Sequence, residues 1–386
     1  MGSTHEPSAL FDLPAGARVP RRGRGAKPRA LKAVTYVPMP DPIVPQRPNP
    51  RAPDGPCLAG MEEVGTGILD NVDAMQRVAA SAPPGPLLIN AGPGTGKTHV
   101  LVRRIAYLVT ELNVPASQCL VLAATPHAVA LIETRLRELV GDACDDMTFA
   151  AFGELSAPPP LGHLFVDDLH LMDPKLYQAL RADRGDAPAF TATGDPDSSV
   201  LTEPVLFEWF PEDFPDARVV RLTRNHRSTA PIIAAVMQLI TPTTRAPGRQ
   251  MMPTRPTAGT APIGRYYATS IHDEQTLADR LRDRLAPLGV DASEVAVIGP
   301  GWGDADELAG RQYRVVYCAS VTREHYPDTA NARRSLFVAM SRAADLLYVS
   351  HSGTGSPLLD AIDSGLFTPF GRVVSRGPRA EQPRLL

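Results

Sequence analysis

The octapeptide Ala91-Gly92-Pro93-Gly94-Thr95-Gly96-Lys97-Thr98, between an apolar run at Leu87–Asn90 and a helical stretch at Val100–Leu112, constrains this chain more than any other segment. Strand, glycine-rich turn and helix in that order open a parallel α/β unit. Glycines let backbone N–H groups turn inward, and the helix N-terminus adds a positive end. The octapeptide therefore predicts a cradle for a nucleoside triphosphate, ATP with Mg²⁺. Gly92, Gly94, Thr95, Gly96 and Lys97 would surround the phosphates, and the Thr98 hydroxyl would reach the metal. Ala91 stands where only a small residue is needed. A glycine-rich turn that binds nothing would not account for eight positions in this context.

A strand ending in acids is expected beside such a loop. Phe165-Val166-Asp167-Asp168 fits, with Asp167 directed to Mg²⁺ and Asp168 placed to orient a water. Further strands are predicted at Leu120–Ala124, Leu164–Asp167, Phe190–Thr193 and Val219–Leu222, with helices such as Ala128–Val140 between them. This alternation predicts an α/β fold with a parallel sheet covered on both faces. It resumes with strand Ile263–Ala268, helix His272–Leu285, strands Glu294–Ile298 and Arg314–Ala319, helix Asn331–Ala343 and strand Leu346–Ser350. Between the two units, Thr241–Pro262 is rich in Pro, Thr, Gly and Arg and predicts a long surface loop.

Residues 1–60 hold twelve prolines, nine Arg/Lys and four Asp/Glu. Such a segment cannot bury enough surface to offset its ordering entropy and is expected to be disordered, a tail of 1–62. The expected domains are then 63–222, carrying the phosphate loop, and 223–386. Lysine is scarce, four against thirty-five arginines, which makes Lys97 conspicuous. Cys57, Cys119, Cys144 and Cys318 are scattered and suggest neither disulfides nor zinc. No run of about 18 apolar residues and no signal-peptide pattern is present, so a cytoplasmic chain without membrane contact is expected.

At this point the chain resembles the UvrD/Rep family of superfamily 1 DNA helicases. The stretches that carry the likeness are Gln76, Leu122–Pro126, Thr148–Phe152, Asp167-Asp168, Gly194–Asp197, Phe214–Thr229 and Phe337–Ala343, in family order. The resemblance implies two tandem RecA-like domains with parallel sheets that face each other across ATP. It implies that Arg227 and Arg342 reach the γ-phosphate, that Gln76 reads the adenine edge and that His226 stacks on the base. Lys97, Asp168, Arg227 and Arg342 are then the catalytic set, and single-stranded DNA is the expected partner. His170 stands where the family has glutamine.

Departures from the family pattern are equally specific. Asp168 replaces glutamate, and one methylene less draws the carboxylate back by ~1.5 Å, a misplacement that costs about a hundredfold in rate. Ser198 replaces the glutamine that senses the γ-phosphate, and Leu201, Glu203 and Pro204 replace the residues on which bases stack. Only ten residues separate Phe152 from His163, and fourteen separate Pro300 from Val315, where the family inserts accessory domains. A protein partner is expected to supply the missing duplex grip.

Two functional readings follow. One is a DNA-dependent ATPase that translocates on single strands, favoured by Lys97, Thr98, Asp167, Arg227 and Arg342. The other is a helicase-derived regulatory protein that binds ATP and turns it over slowly, favoured by Asp168 and Ser198. A single-domain P-loop kinase would leave the second α/β unit unexplained.

Overall fold

The computed structural model describes residues 34–40, 42, 67–155, 162–182, 189–200, 206–256, 261, 263–300 and 311–374. Most of the tail 1–62, the positions Leu201, Glu203 and Pro204, Trp302 and Pro158–Pro160 lie outside the described residues. Within the stretch expected to lack structure, Val34–Val37 forms a strand, β1. Its Val-Thr-Tyr-Val composition is β-branched and aromatic, which favours a pleated strand over a solvated coil. That expectation is corrected for these four residues.

The first half contains β2 (Leu87–Ala91), β3 (Cys119–Ala123), β4 (Thr148–Ala151), β5 (His163–Val166), β6 (Ala189–Gly194) and β7 (Arg218–Leu222). They form one sheet in the order β4-β3-β5-β6-β2-β7, parallel throughout. Strand side chains alternate between faces. Leu87, Ile89, Val121 and Phe165 pack with α1 (Ala74–Ala80), α2 (Lys97–Thr110) and α3 (Pro126–Val140) on one face. Leu88, Leu120, Leu122, Leu164 and Val166 pack on the other with α4 (Pro174–Ala182) and α5 (Leu206–Asp213). Trp209, half-buried, packs against this face of the core, its ring centroid 6.3 Å from that of Tyr177. β4 was not predicted, because Thr148–Ala151 is short and only its last residue is buried.

Two short strands, β8 (Arg224–Asn225) and β9 (Met252–Pro253), pair with each other around α6 (Ala230–Ile240). The second half follows with β10 (Ile263–Ala268), α7 (Ile271–Leu285), β11 (Val295–Ile298), β12 (Tyr313–Cys318), α8 (Ala330–Ser341), β13 (Ala343–Ser352) and β14 (Phe367–Val374). Its strands run in the order β14-β10-β13-β12-β11, again parallel. α8 stops at Ser341, two residues before the predicted end, and Ala343 already belongs to β13. Both sheets lie in one compact unit, Tyr36–Val373.

One expectation fails here with consequences for the site. The segment Thr241–Pro262 is not simply a surface loop. Met251 is buried, the Arg249 side chain is 5% exposed, and β9 pairs with β8. Polar turn composition hides an arginine that buries itself against acids contributed by the first half.

Candidate functional site

β2 delivers the phosphate loop at the carboxyl edge of the first sheet, where parallel α/β folds place their ligands. Gly94 and Gly96 have φ of +76° and +87°, in the left-handed region that glycine enters without steric cost. At Gly96 a side chain is excluded as well, since a Cβ would lie 2.6 Å from Gln76 Nε2. Gln76 is buried. Its Nε2 donates to the Thr95 carbonyl at 2.9 Å, and its Oε1 accepts from Asp73 N at 3.0 Å within the capping box of α1. Thr95 Oγ1 donates to the Gly92 carbonyl at 2.8 Å, closing the turn on itself. Lys97 Nζ lies 3.3 Å from the carbonyls of both Ala91 and Gly92.

The acids stand next to this loop. Thr98 Oγ1 donates to Asp167 Oδ2 at 2.6 Å, and Thr193 Oγ1 donates to Asp167 Oδ1 at 2.5 Å. Burial, reinforced by the neighbouring Asp168, pushes the Asp167 carboxyl up to about 6 despite these bonds. A hydroxyl and a carboxylate held at this distance are oxygen donors of the kind Mg²⁺ takes. The residues present therefore fit Mg²⁺, which Thr98 and Asp167 would hold.

Asp168 has φ +56° and ψ +53°, and its N–H faces Thr193 Oγ1 at 3.3 Å. Aspartate tolerates this left-handed conformation better than longer side chains do. His170, buried behind it, has Nδ1 3.8 Å from Asp168 Oδ1 and accepts from Asp195 N at 3.4 Å. Burial lowers the His170 pKa, which keeps its ring neutral at pH 7.

The second half reaches the loop directly. Asn225 Nδ2 donates to the Pro93 carbonyl at 2.9 Å, and His226 N donates to the Gly94 carbonyl at 2.9 Å. Asn225 Oδ1 also accepts from Arg227 N and Ser228 N, at 2.9 and 2.8 Å. The largely exposed His226 ring pairs through Nε2 with Asp73 Oδ2 at 3.0 Å. Arg227 Nε donates to Gln312 Oε1 at 3.1 Å and Nη1 to the Ser341 carbonyl at 3.4 Å. Burial, with Arg342 beside it, pulls the Arg227 pKa down to about 10, so the guanidinium stays charged at pH 7. Arg342 Nη1 donates to the Arg311 carbonyl at 3.4 Å.

The two arginine segments are held to each other. Arg255 Nη1 donates to the carbonyls of Arg227 and Ala344, both at 2.8 Å, and pairs with Asp345 at 2.8 Å. Ser228 Oγ donates to the Ala343 carbonyl at 2.7 Å.

A cleft of about 540 Å³ is lined by Gly94, Gly96, Lys97, Thr98, Asp168, His170, His226, Arg227 and Arg342, among others. Every side chain expected to be catalytic thus borders one space, although the residues span positions 97 to 342. Gln76 lies beneath the loop, its amide bonded to Thr95 and Asp73. Asp73, Asn225, Arg249, Arg255 and Gln312 are site residues that sequence reasoning does not single out. Asn225 is legible only as a neighbour of His226 and Arg227 in the motif. Arg249 carries no local signal among thirty-five arginines.

Residues 72–158, which hold this loop, α1 to α3 and the strands they flank, match the UvrD/REP helicase N-terminal domain. The two parallel sheets in tandem are the α/β arrangement that the resemblance implied. The ATP-dependent DNA helicase UvrD1 of Mycobacterium leprae is 47% identical over 75 residues, 19% of this chain and 10% of that protein. The ATP-dependent DNA helicase PcrA of Bacillus subtilis is 34% identical over 92 residues, 24% of this chain and 12% of that protein. The match to these relatives therefore spans about a tenth of their length. Among solved structures, the arterivirus nonstructural protein 10 helicase is similar over 72% of this chain and 61% of its own, with 18% identity and a TM-score of 0.43. Among the described residues, no helix is long and apolar enough to cross a membrane.

Proposed function

We propose that this chain is an ATP-hydrolysing, helicase-like motor of the UvrD/Rep type that moves on single-stranded DNA. The observation that carries the proposal is the convergence of Lys97, Asp168, Arg227 and Arg342 on one cleft above the Thr98–Asp167 pair. Loop N–H groups and Lys97 bind the β- and γ-phosphates, and Thr98 and Asp167 would hold Mg²⁺, which when bound would supply charge neutralisation on the phosphate oxygens. Asp168 orients the attacking water and accepts its proton. Arg227 and Arg342, brought from the second half, stabilise the charge that develops on the transferred phosphoryl group. His226 lies at the mouth of the cleft on the side of α1, where a base would stack. The domains of this motor are 63–222 and 223–386, and its place is the cytoplasm.

A second reading, an ATP-binding regulatory protein with slow turnover, is favoured by Ser198. Its Oγ donates to Asp195 Oδ2 at 2.9 Å and so is committed away from a γ-phosphate. Steady-state ATP hydrolysis with and without single-stranded DNA separates the two. DNA-stimulated turnover supports the motor. Tight ATP binding with turnover that DNA leaves unchanged would replace the motor with the regulatory protein.

A further inference from the structure

Asp195 and Asp197 follow β6 and are both fully buried. Two adjacent buried carboxylates near a loop built for a polyanion are electrostatically adverse unless a cation offsets them. That cation comes from the other half of the chain. Arg249 forms a bidentate pair with Asp195 through Nη1 and Nη2, and its Nε lies 2.9 Å from Asp197 Oδ2. Asp197 takes two more donors from the same segment, Thr244 Oγ1 and Arg245 N, each at 2.6 Å.

The guanidinium also lies close beside the phosphate loop. A Cβ built on Gly92 would lie 2.9 Å from Arg249 Nη1 and 2.6 Å from Met251 Sδ. The Asp195 charge is felt on the loop side as well: although burial raises its pKa, Arg249 and then Lys97 hold it below the usual carboxylate value. The Asp195 backbone N–H bonds His170, which stands behind Asp168.

We propose that Arg249 is a positioning residue of the phosphate site. Its single positive charge offsets one of the two negative charges of the Asp195–Asp197 pair beneath the loop, so that the loop accepts a triphosphate only while the segment after α6 is docked on the first half. This rests on the reading of the cleft as a triphosphate site. It makes docking of the halves and phosphate affinity one event, acting through Asp195 and not through contact with the nucleotide.

The test uses two substitutions that break the same ion pair from opposite ends. Arg249→Met leaves two uncompensated carboxylates, whereas Asp195→Asn leaves Arg249 facing one. Affinity of the full chain for a slowly hydrolysed ATP analogue with Mg²⁺ is measured by calorimetry. Charge cancellation predicts a fall of about tenfold or more for Arg249→Met, a rise of a few-fold for Asp195→Asn, and near-parental affinity for Arg249→Lys. Opposite directions are the signature, because a purely structural tie would weaken binding in both. If Arg249→Met does not fold, Asp195→Asn and Arg249→Lys still decide. A fall for Asp195→Asn overturns the proposal, as does unchanged affinity in both Asp195→Asn and Arg249→Met. In those cases a parent that binds and a Lys97→Ala variant that does not would leave the triphosphate site standing. A parent chain that binds no analogue overturns both readings.

Discussion

Thr98 Oγ1 and Asp167 Oδ2 lie 2.6 Å apart, joining the first turn of α2 to the end of β5 across sixty-nine residues of sequence. Their pairing sets a pH dependence. Burial, with Asp168 adjacent, raises the Asp167 carboxyl from 3.8 to about 6. A raised folded-state pKa means that the protonated group stabilises the fold below about 4, and this contribution is lost as pH rises through about 6. Metal binding needs the carboxylate, so Mg²⁺-dependent nucleotide affinity should fall as pH drops from 7 to 5. Asp167→Asn should raise the melting temperature at pH 7 and abolish Mg²⁺-dependent affinity. A variant that melts below the parent at pH 7 in scanning calorimetry would contradict the sign.

Asp168 combines a short side chain with left-handed backbone. Asp168→Glu should raise steady-state turnover by extending the carboxylate, while costing about 1 kcal/mol of stability, because glutamate tolerates φ +56° less well. Turnover and urea denaturation measured on the same preparation check both directions. A fall in turnover would show that aspartate is the adapted residue.

Gly94 cannot accept a side chain. A Cβ there would lie 2.7 Å from Asn225 Nδ2 and 2.9 Å from Arg227 Cβ, and φ is +76°. Gly94→Ala should therefore destabilise by about 1–3 kcal/mol and loosen the seam between the halves. Gly92 has no left-handed φ, so Gly92→Ala should cost less than Gly94→Ala even though a Cβ there would press on Met251 Sδ and Arg249 Nη1. Denaturation midpoints rank the two, and equal midpoints would contradict the clash.

Lys97 is the cation of the loop itself, with Nζ over the carbonyls of Ala91 and Gly92. Lys97→Ala should reduce ATP affinity at least a hundredfold, since no neutral side chain replaces a point charge on the phosphates. Equal heats of binding in variant and parent would remove the phosphate-loop assignment.

Much of this protein was determined by the sequence alone. The octapeptide, the apolar runs of β2, β3, β5, β6 and β7 and the helical periods between them specified a parallel α/β sheet, because each signal is local to a few residues. Asp167 was legible for the same reason, as the end of an apolar strand. Lys97 and Thr98 were fixed by spacing within the loop. Other features belong to the tertiary structure. Arg249 looked like one more loop arginine, and only burial against Asp195 and Asp197 distinguishes it. Gln76 is legible in sequence only through the family likeness, and the fold alone shows its amide bonded under Thr95. Asn225 acquires its role from the Pro93 carbonyl, 132 residues away in the chain. Such long-range pairs leave no periodic trace, because a buried polar contact depends on where two backbones meet and not on what surrounds either residue in sequence.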